Sequence, residues 1–98
     1  ALIEKRKARV DSIEHGKLTW TCIEKPSTEE VGFLAQHFNF HHLNLDDVLS
    51  RVQRPKIDEY EDHLFIVLHF PVFDKENGVT KSSEVDIFIG ENYLVTVH

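Results

Sequence analysis

One apolar run in the second half of the chain restricts the fold more than any other feature. Residues 64–70 are hydrophobic at nearly every position, and turn signals bound the run on both sides. A run of this length is typical of a central strand that is buried on both faces. Asn77-Gly78 follows as a hairpin signal, and residues 84–89 and 93–97 have the pattern of two further strands. Successive strands joined by short turns predict an antiparallel meander.

The first half of the chain predicts one strand and two helices. Residues 18–23 alternate between apolar side chains and threonine, as a half-buried strand does. Ser27 and Glu30 have the spacing of a capping box, and an apolar stripe predicts a helix from about Thr28 to Phe38, with Asn39 as its left-handed C-cap. The second helix has its own stripe and ends before Pro55. Its apolar positions are Leu45, Val48, Leu49 and Val52.

Together these elements predict an α+β fold in which two short helices pack on a mixed, mainly antiparallel sheet. A chain of 98 residues is long enough for one domain, so we expect residues 1–98 to form a single domain. Val10 and Ile13 fit either a strand or a helix, and His15-Gly16-Lys17 is typical of a turn. Pro71 is expected to close or bend the apolar strand.

Charge and cysteine content exclude several classes of function. The net charge is −6, and the one basic cluster, around residues 5–9, has no interleaved aromatic side chains, so we predict no nucleic-acid partner. Cys22 is the single cysteine, which excludes an internal disulfide and favours a small buried hydrophobe. No apolar run reaches 18 residues. Because the sequence contains no methionine and stops within a strand pattern, we expect it to be a piece of a longer protein.

No catalytic constellation is present, so the sequence predicts that the chain is not an enzyme. His37 and His41 have the i, i+4 spacing of a helical zinc site, with His42 beside them. The predicted end of the first helix at Asn39 would separate the two, so a loop or capping role is favoured for these histidines.

Asp46 and Asp47 in the second helix are the remaining candidates for a binding site. With about 100° per residue and Leu45 at 0°, Asp46 lies at about 100° and Asp47 at about 200°, so Asp47 should point away from the core. Mg²⁺ takes oxygen ligands and keeps several of its waters, so one or two carboxylates can hold it. Adjacent acids on a helix are also compatible with a solvated face, and a useful metal site would need further carboxylates from elsewhere.

The acidic helix, the Gln-Arg-Pro-Lys block and the strands that follow it together form a recognisable pattern. Its segments are Leu45-Asp46-Asp47-Val48-Leu49, Gln53-Arg54-Pro55-Lys56-Ile57, Tyr60-Glu61-Asp62-His63-Leu64-Phe65-Ile66-Val67-Leu68, Glu84-Val85-Asp86-Ile87-Phe88-Ile89 and Asn92-Tyr93-Leu94-Val95-Thr96-Val97-His98. On these segments the chain resembles, over residues 18–98, the N-terminal cytosolic domain of the CorA family of divalent-metal transporters.

The resemblance implies a part of the cytosolic funnel of a homopentameric Mg²⁺ channel, which often passes Co²⁺ or Ni²⁺ as well. In such proteins the funnel lies at the cytoplasmic face of the inner membrane. A long stalk helix and two C-terminal membrane helices, all absent from this sequence, form the rest. The fragment itself is then expected to be soluble, with neighbouring subunits as its partners in the full-length protein.

The resemblance also implies a role for the acidic pair. Asp47 matches the family's principal ligand at a regulatory Mg²⁺ site between subunits, and Asp46 stands where glutamate is common. Bound Mg²⁺ would neutralise the interfacial carboxylates and favour the closed pore. Asn39, Phe40, His41 and His42 stand where the family often has glycine, an apolar residue, histidine and proline, so this chain lacks the proline before the helix.

Two other interpretations remain open from the sequence. One is the related zinc-transporter branch. The Gln-Arg-Pro-Lys block favours the magnesium branch but does not decide between the two. The other is a free-standing soluble binding module with no role in transport. The sequence that follows His98 would separate these alternatives.

Overall fold

The computed structural model describes residues 9–50 and 54–98. These residues form two helices and six strands. In chain order the elements are β1 (Asp11–His15), β2 (Leu18–Ile23), α1 (Thr28–His37), α2 (His42–Ser50), β3 (Lys56–Glu59), β4 (His63–Asp74), β5 (Val79–Gly90) and β6 (Tyr93–Val97).

The six strands form one mixed sheet in the order β1-β2-β6-β5-β4-β3. The consecutive strands β3 to β6 lie side by side and antiparallel, which confirms the predicted meander. β1 and β2 form a separate hairpin whose turn has Gly16 at a φ of 60°, so the undecided segment near Ile13 is a strand. β2 joins the meander through a parallel pair with β6, and the predicted mixed, mainly antiparallel α+β fold is confirmed.

The core lies between the two helices and one face of the sheet. Alternate residues of β2, β6, β5 and β4 point towards the helices, as the period of two in a strand requires. Leu34 of α1 and Leu45 and Val48 of α2 close the other side. The buried apolar core among the described residues is Ile23, Leu34, Phe40, Leu45, Val48, Phe65, Val67, Phe88, Val95 and Val97.

β2 presents its less apolar face to the core, contrary to what its sequence suggests. Thr21 and Ile23 are buried, whereas Leu18 and Trp20 are 44% and 42% exposed and Cys22 is only half-buried. The register explains this, because Thr21 and Ile23 lie beside Val95 and Val97 of β6, which face the helices. The prediction of a buried Cys22 is therefore wrong.

The end of α1 also differs from the prediction. The helix stops at His37, and Phe38 continues in an extended conformation instead of a left-handed cap at Asn39. The ring of Phe38 stacks on that of Phe40 with centroids 4.8 Å apart, and Phe40 stacks on Phe88 at 3.9 Å. Placing these rings in the core requires an extended chain here.

The start of α1 is capped differently from a capping box. Ser27 occupies the N-cap, but its hydroxyl bonds to the carboxylates of Glu29 and Glu30 and makes no side-chain bond to the helix backbone. Both acids lie in the first helical turn, where they complement the helix dipole.

β4 and β5 extend beyond their neighbours as a two-stranded ribbon. β3 pairs only with residues 64–67 of β4, and β6 pairs only with residues 86–89 of β5. Pro71 does not close β4, which continues to Asp74, because this part of the strand has no neighbour on its outer edge and proline is tolerated there. The predicted hairpin at Asn77-Gly78 is confirmed, with Gly78 at a φ of 63° and Asp74 accepting bonds from the turn.

Within the described part of the chain, no helix has the length and apolar character needed to cross a membrane.

Candidate cation site between α2 and β3

α2 begins with a histidine cap. His41 precedes the helix, and its Nδ1 accepts a hydrogen bond of 3.1 Å from the backbone N–H of Leu43. The carbonyl of His41 accepts the N–H groups of Asn44 and Leu45. The imidazole thus does what a serine or aspartate does at a helix N-terminus. The helix therefore has a capped start without a proline before it.

A partly buried hydrogen bond links α2 to the end of β3. The Asn44 side-chain Nδ2 donates to the Tyr60 hydroxyl at 2.7 Å, and Asn44 is 2% exposed. The ring of Tyr60 stacks on that of His63, with centroids 4.8 Å apart. These contacts help to set how the acidic turn of the helix lies relative to β3.

Asn44→Ala should therefore lower the free energy of unfolding by about 1–3 kcal/mol, because it removes a bond and leaves the Tyr60 hydroxyl without this partner. Denaturant titration would measure the loss. Leu43→Ala on the exposed side of the same helix is the matched control, with an expected change of at most about 0.5 kcal/mol. Equal effects of the two substitutions would contradict a stabilising role for the Asn44–Tyr60 bond.

Asp47 does not point freely into solvent. Its side chain is 22% exposed, and its Oδ2 lies 2.9 Å from Nζ of Lys56 on β3. Asp46 is the more exposed of the two acids. The prediction that Asp47 faces away from the core is thus only partly right, because the edge strand β3 lies beside this flank of the helix.

Lys56 bridges two carboxylates. Besides Asp47, its Nζ contacts Oδ2 of Asp58 at 3.1 Å. The hydrogen bond to Asp47 is the main cause that raises the pKa of Lys56, Asp58 adds to it, and partial burial acts in the opposite direction. Nζ also lies 5.5 Å from the centre of the Phe65 ring, a cation–π distance. The ammonium is therefore held from three sides.

These side chains line an open groove of about 560 Å³ between α2 and β3. Its polar wall consists of His41, Asn44, Asp47, Lys56, Asp58, Glu59 and Tyr60. Across residues 9–50 and 54–98, no three His, Cys, Asp or Glu side chains come close enough together to hold a metal ion. His41 and His42 stack on each other, while the ring of His37 donates to the carbonyl of Phe33.

Sequence reasoning missed Lys56 and Tyr60 as parts of this groove. The signal was present, because Lys56, Asp58 and Tyr60 alternate with the 64%-exposed Ile57 and so lie on the helix side of β3. Arg51, Val52 and Gln53, which include part of the Gln-Arg-Pro-Lys block, lie outside the described residues.

Comparison with known proteins gives consistent results. Residues 15–98 match the family described as CorA-like Mg2+ transporter protein. The chain is 35% identical over 91 residues to YfjQ of Bacillus subtilis, which is named as a metal ion transporter. This match covers 91% of the chain and 27% of YfjQ. It is 34% identical over 68 residues to the cobalt/magnesium transport protein CorA of Thermotoga maritima, covering 69% of this chain and 19% of that protein.

The fold agrees with a solved relative. The soluble domain of CorA from Methanocaldococcus jannaschii superposes with a TM-score of 0.67 at 26% identity, over 84% of this chain and 32% of that one. The chain thus spans only about a fifth to a quarter of the curated relatives' length. Because the family match covers most of the sequence, this chain belongs to the family of CorA-like Mg²⁺ transporter proteins.

Proposed function

We propose that this chain is a non-enzymatic, Mg²⁺-sensing part of a magnesium and cobalt transporter. Residues 1–98 would form part of its cytosolic funnel, at the inner face of the membrane. Asp47, with Asp46, would contribute to a regulatory cation site shared with a neighbouring subunit of a homopentamer. The observation that carries the proposal is the position of Asp47, a partly exposed carboxylate at an open groove in a chain of this family.

The donor chemistry fits a hydrated divalent cation. Asp46 and Asp47 offer carboxylate oxygens near the surface, and Mg²⁺ is usually held through only one or two carboxylates while it keeps its waters. The described residues bring no third metal-binding side chain to this place. A second subunit that supplies further carboxylates would complete the site.

Electrostatics supplies the regulation. The chain carries a net charge of −6, and carboxylates that meet across a subunit boundary repel one another. A bound divalent cation would neutralise them and favour the arrangement in which the subunits are held together. Loss of the cation would release that arrangement, and the shift follows from the difference in cation affinity between the closed and open states.

Asp47→Ala in the full-length transporter should weaken the protection that Mg²⁺ gives against protease. We expect the Mg²⁺ concentration for half-maximal protection to rise about tenfold or more, since even residues that only support a metal ligand change affinity by about 10–100-fold. Limited proteolysis over a Mg²⁺ titration measures this concentration, which we call the Mg²⁺ midpoint.

Glu91→Ala, which removes an exposed acid from the β5–β6 turn, is the matched control and should leave the Mg²⁺ midpoint unchanged. An unchanged midpoint in the Asp47 variant would remove this residue from the sensing site. The 98-residue chain alone should bind Mg²⁺ weakly in calorimetry, and tight binding there would contradict a site shared between subunits.

A further inference from the structure

Lys56 places a positive charge against the carboxylate that the proposed function assigns to Mg²⁺. Its ammonium lies 2.9 Å from Asp47 and 3.1 Å from Asp58. Lys56 and Asp58 are two residues apart on β3, so both side chains lie on the helix side of the strand. The lysine side chain is 33% exposed, which leaves it in contact with solvent and with arriving ions.

We propose that Lys56 is an internal cation that competes with Mg²⁺ for Asp47 and so sets the Mg²⁺ concentration at which the regulatory site fills. The inference rests on the proposed function, because it requires Asp47 to be a cation ligand. It goes beyond that function by assigning the competitor. In the low-Mg²⁺ state Lys56 bridges Asp47 and Asp58, and when the site fills it keeps only Asp58.

The geometry keeps the free-energy cost of releasing Asp47 from Lys56 small. Release of Asp47 costs Lys56 one of its two carboxylate partners, while Asp58 still neutralises the ammonium. The Phe65 ring, 5.5 Å away, holds the lysine on β3 during the exchange. Ion pairs that remain in contact with water contribute little to stability, so a divalent ion can replace one of them. A lysine side chain ordinarily titrates far above neutral pH, so Lys56 is a cation that can compete for the carboxylate.

A divalent ion beside an ammonium group also meets like-charge repulsion. With Lys56 on Asp47, an arriving Mg²⁺ must displace the lysine before it can use that oxygen. The lysine therefore weakens cation binding and prevents the site from filling at low Mg²⁺. A lysine that only held Asp47 in position for the metal would have the opposite effect.

The test measures the Mg²⁺ midpoint of the full-length transporter in three variants. Lys56→Gln should lower the midpoint about three- to fivefold, the size expected for losing one partly exposed ion pair. Lys56→Arg keeps the charge and should leave the midpoint equal to or above that of the unmodified protein. Lys81→Gln, which neutralises an exposed lysine on the β4–β5 ribbon, is the matched control and should change nothing.

A double variant separates the inference from the function on which it rests. In the Asp47→Ala background, Lys56→Gln should have no further effect, because the carboxylate for which the lysine competes is gone. A midpoint that is raised or unchanged in Lys56→Gln, while Asp47→Ala still raises it, would overturn the competitor role and leave the sensing function standing. If Asp47→Ala has no effect on the unmodified protein, both proposals fail.

Discussion

Phe88→Ala should lower the free energy of unfolding by about 3–5 kcal/mol, the usual cost of removing a large aromatic side chain from a core. Phe88 is fully buried on β5 and contacts aromatic rings on two sides. Its ring lies 3.9 Å from that of Phe40 and 4.6 Å from that of Phe65, measured between centroids. The substitution therefore opens a cavity where the sheet meets the connection between the helices, and equilibrium denaturation monitored by circular dichroism would measure the loss.

Phe73→Ala is the matched control for this prediction. Phe73 is 62% exposed on the β4–β5 ribbon, so the same chemical change should cost only about 0.5 kcal/mol. A domain of this size has a total stability of about 5–15 kcal/mol, so the loss in Phe88→Ala is a large fraction of it. Phe88→Leu, which leaves a smaller cavity, provides a graded second variant. Similar losses for Phe88→Ala and Phe73→Ala would show that the packing described around Phe88 is wrong.

Gly90→Ala should lower the free energy of unfolding by about 1–3 kcal/mol, because the added methyl group overpacks a filled space. A Cβ at Gly90, the last residue of β5, would overlap the ring of Tyr93 at the start of β6. That ring cannot simply move aside, since it also packs against Phe38 with centroids 5.0 Å apart. Burial raises the pKa of the Tyr93 hydroxyl, in agreement with an enclosed ring.

Gly32→Ala makes the same change where the structure has room. A Cβ at Gly32 in α1 meets no atom within 4 Å, so alanine there should raise the free energy of unfolding by about 0.5–1 kcal/mol through its higher helix propensity. In a Tyr93→Thr background, Gly90→Ala should cost much less than in the unmodified chain. The same loss in both backgrounds would refute the proposed overlap with Tyr93.

The sequence pattern predicted the meander and the existence of both helices, but it left the β1 segment undecided. The meander follows from runs such as residues 64–70 and from the turn at Asn77-Gly78, because both are local signals. Local patterns did not predict which face of β2 is exposed. Its orientation depends on the pairing of Thr21 and Ile23 with β6, a contact that no local pattern specifies.

The candidate site shows the same division between local and non-local information. The helical stripe gave the buried side of α2 correctly at Leu45 and Val48. It predicted that Asp47 points away from the core, because the angular position within one helix contains no information about the lysine of a neighbouring strand. The pair of Asp47 with Lys56 depends on how α2 docks against β3, which the partly buried Asn44–Tyr60 bond helps to determine.

The parallel pair of β2 with β6 has a consequence for how the sheet is assembled. The β1–β2 hairpin and the β3–β6 meander each form through short connections, but the indole of Trp20 reaches the Thr96 hydroxyl, 2.9 Å away, across 76 positions of sequence. Closing so long a loop carries an entropy cost that no turn reduces, and such contacts slow folding. The sheet thus consists of two locally connected parts, the β1–β2 hairpin and the β3–β6 meander, which meet at the β2–β6 pair. Substitutions along this pair affect the association of the two parts rather than the folding of either part.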